Sequence, residues 1–328
     1  MAAARSAQGS QLTGEQRGDQ IFSLILRIAS IAVIVVLVIL VLTLAGYSIP
    51  VLQKYGVSYF LGSTWRPNAT DTKPSEFGAL PYIFGTVVTS LLALLVATPL
   101  AVGSAIYVSE YAPKWLGRPI SFIVELLVTI PSVAYGLWGL LVLVPFMRSN
   151  VQPFLQNTLG QVPVIGQLFQ GPMYGQSLLT AGLLLAIMIL PTIMSLSREI
   201  IAQVPRLQKE GSLALGATKW EMLSMAVLPF AKPGILGAMV LGLARAFGET
   251  MAVTMVVGNA SGKIAPSLYT PGYTIASAIA NQFTEANSPI HFSAIVGMGL
   301  ILMIVASGFN IAARLLVKRA TRMPGGAK

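Results

Sequence analysis

The sequence predicts an all-α integral membrane protein with six transmembrane helices. Three observations carry this expectation. Of 328 residues, 55% are hydrophobic and only 10% are charged, against about 25% charged in ordinary soluble domains. Six apolar runs are long enough to cross a hydrocarbon core of ~30 Å at ~1.5 Å per residue. With six spans, fifteen Lys and Arg fall on the side that holds both termini and five on the other. That bias places both termini in the cytoplasm. The net charge of +10 therefore reads as topology, because the basic residues form no single patch for nucleic acid.

Residues 1–20 are polar and rich in small side chains, and read as a largely disordered cytoplasmic tail. The first span covers 21–49. It is too long for a signal-peptide core and reads as uncleaved. A polar loop follows, in which Asn68-Ala69-Thr70 matches a glycosylation sequon that arises often by chance. The second span, 83–108, contains Pro99 and should kink there. A turn with Lys114 and Arg118 leads into a third span over 120–146, which holds Glu125. That acid reads equally as interfacial or functional. Residues 147–175 read as a loop and 177–197 as the fourth span.

The stretch 198–232 interrupts the apolar pattern with Arg198, Glu199, Arg206, Lys209, Glu210, Lys219, Glu221 and Lys232. Pro205 opens a short helix to about Leu215, because a missing N–H costs nothing in a first turn. Gly216 supplies the left-handed backbone of a turn. Thr218 caps a second helix, with Glu221 as its capping-box partner. Apolar Leu213, Ala214, Ala217, Trp220, Leu223 and Met225 give this hairpin a sticky face, which suits docking to a soluble partner better than a plain solvated loop does.

The fifth span, 233–258, carries Arg245 about 18 Å past Pro233, near the midplane, with Glu249 one turn further. Charge at that depth costs about 2.5–3.5 kcal/mol per residue, so both side chains should face protein or water. Two readings stand: a self-neutralising structural ion pair, or a pathway whose guanidinium meets an oxyanion bidentately, with Glu249 holding Arg245 at rest. Nearby Gly237, Ala238, Gly242 and Gly248 permit close helix approach. The sixth span covers 292–316 and a cytoplasmic tail closes the chain at 319–328. The single His291 reads as an ordinary interfacial residue, and the absence of cysteine excludes disulfides and thiolate metal sites. No nucleotide-binding Gly-x-x-x-x-Gly-Lys-Ser/Thr loop occurs, so the chain does not hydrolyse ATP. No internal repeat of fixed period is visible, which weighs against a self-contained inverted-repeat carrier.

The hairpin resembles the EAA loop of ABC importer permeases. Glu210-Gly211-Ser212, then Gly216, then Ala226-Val227-Leu228-Pro229 stand at that loop's spacing, with Gly211, Ser212 and Ala226 departing to small residues. From about Phe77 onward, three stretches look like the phosphate-specific, PstC-type branch: Phe77–Pro81, Ile130–Gly139 and Gly242–Met255. The resemblance implies a type I importer permease with a coupling helix, in a prokaryotic plasma membrane. It implies as partners a second permease (PstA type), an ATPase dimer (PstB type) that uses ATP and Mg, and an extracytoplasmic phosphate-binding protein (PstS type). This chain itself would bind no cofactor. The candidate pathway residues are then Arg245, Glu249 and Thr250. The candidate coupling residues are Glu210, Gly216, Ala217, Thr218, Trp220, Leu228 and Pro229. A permease for another oxyanion or solute, a channel or ion-coupled carrier, and a non-transporting scaffold or sensor are the competing readings.

Overall fold

A computed structural model describes the backbone of residues 2–68, 74–261 and 264–321. Most of the sequon, Lys73, Lys263 and the last residues of the tail lie outside these. Helix α1, Ala2–Tyr55, runs through both the expected tail and the first span. The tail is thus helical rather than disordered: Ala2–Ala4 favour helix, and no proline precedes Pro50 to stop propagation from the span. After α2 (Ser58–Leu61), strands β1 (Trp65–Arg66) and β2 (Glu76–Phe77) pair antiparallel. Helix α3, Leu80–Ile106, ends in a widened turn, Tyr107–Tyr111, where Ala112 N–H reaches back five residues to Tyr107 O at 2.8 Å.

The third span differs from the expectation. Helix α4, Lys114–Thr129, stops short of Pro131, and a separate helix begins with α5, Ser132–Trp138. The apolar run is continuous, but Pro131 lacks an N–H and holds Ile130 extended (ψ 128°). The helical stretch here that is long and apolar enough to cross a membrane is Ser132–Gln161, in place of the expected 120–146, and most of the expected loop is its continuation through α6 (Val144–Phe146) and α7 (Gln152–Thr158). Pro145 and Pro153 do not break it. Each follows a widened turn in which the preceding N–H bonds five residues back, Val144 to Gly139 O and Gln152 to Met147 O.

Helix α8, Leu178–Ala202, is the central pillar: 72% of its apolar window is buried, against none of α1's. It packs chiefly against α3. The hairpin follows as α9 (Arg206–Ala214) and α10 (Lys219–Met222). A widened turn ahead of Pro229 then feeds α11, Leu228–Gly248. The fifth span also differs from the expectation. It ends at Gly248, and a short helix α12, Met251–Val256, restarts beyond an extended Glu249. Helices α13 (Ile275–Gln282) and α14 (Pro289–Thr321) complete the chain, so the last helix outruns the expected 292–316 at both ends.

Glycine sets two close approaches. A Cβ on Gly136 would lie 2.9 Å from Ala252 Cα, which brings α5 onto α12, and one on Gly242 would lie 2.8 Å from Ile193 on α8. A second, smaller core joins the end of α1 to α13 and α14. There Ser293 Oγ donates to Tyr47 O and accepts from Val51 N–H, and the buried Tyr59 hydroxyl donates to Ala294 O at 2.6 Å. Burial, with the neighbouring Tyr82, pushes the Tyr59 phenol well above its usual range, so it stays a donor. His291, near the start of α14, is buried here and stacked on Phe77 with centroids 5.5 Å apart.

Candidate functional site

Arg245 lies in the last turn of α11 and is half-buried. Its Nη1 donates to Thr192 Oγ1 at 3.3 Å. Thr192 follows Pro191 on α8, about 15 Å along that helix from Ala202. The guanidinium therefore sits well inside the bundle. Among the described residues Thr192 is its hydrogen-bond partner, and most of its fork of donors is not used by protein groups.

The expected pairing with Glu249 does not form. Among the described residues the ion pairs are Arg66–Glu76, Arg198–Glu125 and Lys209–Glu110. The one-turn relation needs continuous helix, and Glu249 is extended (ψ 125°). Its Oε1 instead accepts the Ala252 N–H at 3.2 Å, capping the first turn of α12. The acid is spent on starting a helix, not on restraining Arg245. Thr250 is also engaged locally: its hydroxyl donates to Gly248 O at 3.3 Å and its carbonyl accepts from Thr254. The Gly-Glu-Thr order, a weak helix former followed by capping types, is the signal that the hydropathy of 233–258 concealed. Of the small residues, Ala238 and Gly242 are buried against neighbours, whereas Gly237 and Gly248 face open space.

Three groups at this site are not among the candidate site residues, although Tyr135, Gly136 and Gly139 stand in the Ile130–Gly139 stretch. Thr192 carries no signal beyond its place after Pro191. Tyr135 donates its hydroxyl to Leu127 O at 2.9 Å, the carbonyl that Pro131 leaves without its helical N–H. Gly136 and Gly139 seat that broken helix on α12 and α8. Beyond α12, Gln176 Nε2, Ser177 N–H, Asn259 Nδ2 and Gly272 N–H take the carbonyls of Met255, Val256, Thr254 and Val257 at 2.7–3.2 Å. The segment that follows Arg245 is thus held at both ends.

The hairpin is built as its residues dictate. Pro205 opens α9. The helix closes in a Schellman motif, with Gly216 N–H to Leu213 O at 3.0 Å and Ala217 N–H to Ser212 O at 3.1 Å, and Gly216 at φ +89°. Thr218 and Glu221 form the capping box. Glu210 is exposed, Leu228 and Pro229 are half-buried where the hairpin enters α11. Leu207, Leu215, Trp220 and Met225 stand in the open, Leu215 at 91% exposure and Trp220 at 66%. Glu125 lies on α4, which is not among the helices long and apolar enough to cross a membrane, and pairs with Arg198 at 2.9 Å.

Residues 97–322 match the family model described as "binding-protein-dependent transport system inner membrane component". A curated relative from Xylella fastidiosa, named phosphate transport system permease protein PstC, is 44% identical over 98% of this chain and 97% of its own length. One of the same name from Mesorhizobium japonicum is 41% identical over the same shares. Among solved structures, the MetNI methionine ABC transporter in an inward-facing conformation aligns with TM-score 0.55 at 17% identity, over 74% of this chain and 95% of that one. A bacterial alginate ABC transporter aligns with TM-score 0.53 at 18% identity, over 74% and 80%. At that identity the structures speak for the fold alone, a type I ABC importer permease. The chain belongs to the family of binding-protein-dependent transport system inner membrane components, in its branch of PstC-type permeases.

Proposed function

We propose that this chain is the membrane-spanning permease subunit of an ATP-driven inorganic phosphate importer. The observation that carries the reading is the match of 41–44% over nearly the whole chain to permeases named for phosphate transport. The chain works with a second permease of PstA type, an ATPase dimer of PstB type and an extracytoplasmic binding protein of PstS type. ATP and Mg are used by the ATPase. Both termini and the hairpin lie in the cytoplasm of a prokaryotic cell, with the basic excess on that side.

Two features support the division of labour. The open apolar side chains of the hairpin, with Trp220 and Leu215 at its tip, are what a helix seated in an ATPase cleft requires. The apolar, outward face of α1 suits lipid or the second permease. Closure of the ATPase dimer on ATP moves the hairpin and opens the bundle outward; hydrolysis returns it inward. Arg245, held by a single threonine, offers its spare donors to a phosphate oxyanion passing along the bundle. Glu249 and Thr250 shape the pathway through the backbone break that exposes the end of α11.

The test is anion selectivity in cells that carry the whole system and no other phosphate importer. Uptake of phosphate well above sulfate and molybdate is expected. Preference for another oxyanion would reassign the substrate, and uptake surviving ATP depletion with ion gradients intact would reassign the transport class.

A further inference from the structure

The hairpin is joined to the bundle by more than its own chain, and that second junction lies in the widened turn at the end of α3. We propose that Lys209 and Glu110 are positioning residues that form a strut, carrying ATPase-driven motion of the hairpin into α3 in parallel with the direct connection to α11. The inference rests on the importer reading above.

Lys209 Nζ, on α9, donates to Glu110 Oε1 across 99 residues of sequence. Both side chains are largely shielded, at 19% and 11% exposure, unlike Arg66–Glu76 and Arg198–Glu125, whose acids are about half exposed. A shielded pair is screened little by salt and holds its geometry. The same ammonium also reaches Ile201 O at 3.4 Å, one of the last carbonyls of α8, where a cation suits the helix terminus. One side chain thus ties α9, the end of α8 and the turn after α3. A second contact reaches the same turn from the other arm of the hairpin: Lys219 Nζ stands 5.9 Å above the Tyr111 ring.

The receiving element is suited to pass motion on. Tyr107–Tyr111 continues α3 without a break, as a turn with wider hydrogen bonding. Ala112 and Pro113 then leave the helix, both extended. Pulling on Glu110 therefore loads α3 rather than a slack loop. Helix α3 lies along α8, and its Ala93, Ala97, Ala101 and Ala105 are fully buried at four-residue spacing. A stripe of that kind lets α3 lie close against α8 along its length, so that a load on its end reaches the helix as one body. The direct route through Leu228 moves α11; the strut lets α3 follow in the same stroke.

The experiment uses the complete complex in liposomes, scored as phosphate imported per ATP hydrolysed, with Glu110→Lys, Lys209→Glu and the two combined. Each single reversal is expected to lower that ratio at least about tenfold, about 1.4 kcal/mol in coupling, while hydrolysis continues. The double reversal should restore most of it, as a double-mutant cycle requires. Singles that keep the parent ratio, or a double as uncoupled as the singles, would overturn the strut. Charge reversal at a shielded site can block assembly, so Glu110→Cys with Lys209→Cys supplies a second test in a chain with no native cysteine. A thiol cross-linker of side-chain length should raise the ratio over the unlinked form, and equal ratios would refute the proposal. If the parent complex imports no phosphate yet its ATPase responds to the binding protein, the substrate reading has failed. The strut is then judged by that response in the same variants.

Discussion

The hairpin α9–α10 and the short helix α12 both depart from plain membrane-spanning helix, and they are finished in opposite ways. At α12 backbone groups at both ends are taken up by this chain: Glu249 accepts the Ala252 N–H at the start, and Gln176, Ser177, Asn259 and Gly272 donate to carbonyls at the finish. The hairpin also satisfies its own backbone, through the Schellman motif and the capping box, but leaves Leu207, Leu215, Trp220 and Met225 uncovered. A helix end buried in a bundle has to be paired internally, since no water is there to do it. An apolar side chain left in the open has no such internal remedy, and it marks where a second protein belongs. One region is a fixture; the other is a handle.

The largest effect that would sharpen this comparison lies just ahead of the fixture. Arg245→Gln should leave the complex assembled and abolish uptake, a fall of at least about 100-fold if a charge-assisted contact of ~3 kcal/mol is lost. Assembly is read by co-purification and uptake with labelled phosphate. Failure to assemble would instead make Arg245 a structural residue. At the handle, Trp220→Ala should weaken binding of the ATPase by about 2 kcal/mol, as for a buried aromatic anchor, measured by titrating ATPase onto the solubilised permease pair. Gly216→Val acts on the same surface through the backbone. At φ +89° a β-branched residue costs roughly 1–2 kcal/mol, so the Schellman turn should open and ATP hydrolysis should run free of transport. The smallest effect belongs to the cap. Glu249→Ala should cost about 1 kcal/mol of thermal stability, and Glu249→Gln should recover part of it, because an amide oxygen also accepts from Ala252. A midpoint unchanged by both would break the assignment of Glu249 as a cap.

The same contrast explains what could be read from the residues. The turns and cap of the hairpin were legible because their signals are local: Pro205 opens, Gly216 turns, and Thr218 with Glu221 caps within four residues. Its open face was less legible, since Leu223 is buried in the bundle core while Leu207 and Leu215 stand exposed. The six crossings were legible from composition, and the family from motifs at fixed spacing. The two helix breaks that shape the site were not. Pro131 and the Gly248-Glu249-Thr250 step lie inside stretches that are apolar on average despite Glu125, Arg245 and Glu249, so their hydropathy looks like one span on both sides. Pro145, Pro153 and Pro229 show why proline alone does not decide. There a widened turn moves the preceding N–H back by one carbonyl and the helix continues. Whether a proline breaks a helix depends on packing around it, and at Pro131 the Leu127 carbonyl is claimed by Tyr135. The Arg245–Glu249 relation failed for the same reason, since helical spacing has no meaning across a break.

On the proposed function, a partner's ATP hydrolysis, received at the hairpin, drives phosphate past Arg245. This is tested most directly by phosphate accumulation in liposomes that hold the complete purified complex, with the binding protein outside and ATP inside. Uphill accumulation that stops when ATP is withheld, whatever the ion gradients, is expected. Accumulation that follows an imposed ion gradient in the absence of ATP would contradict it.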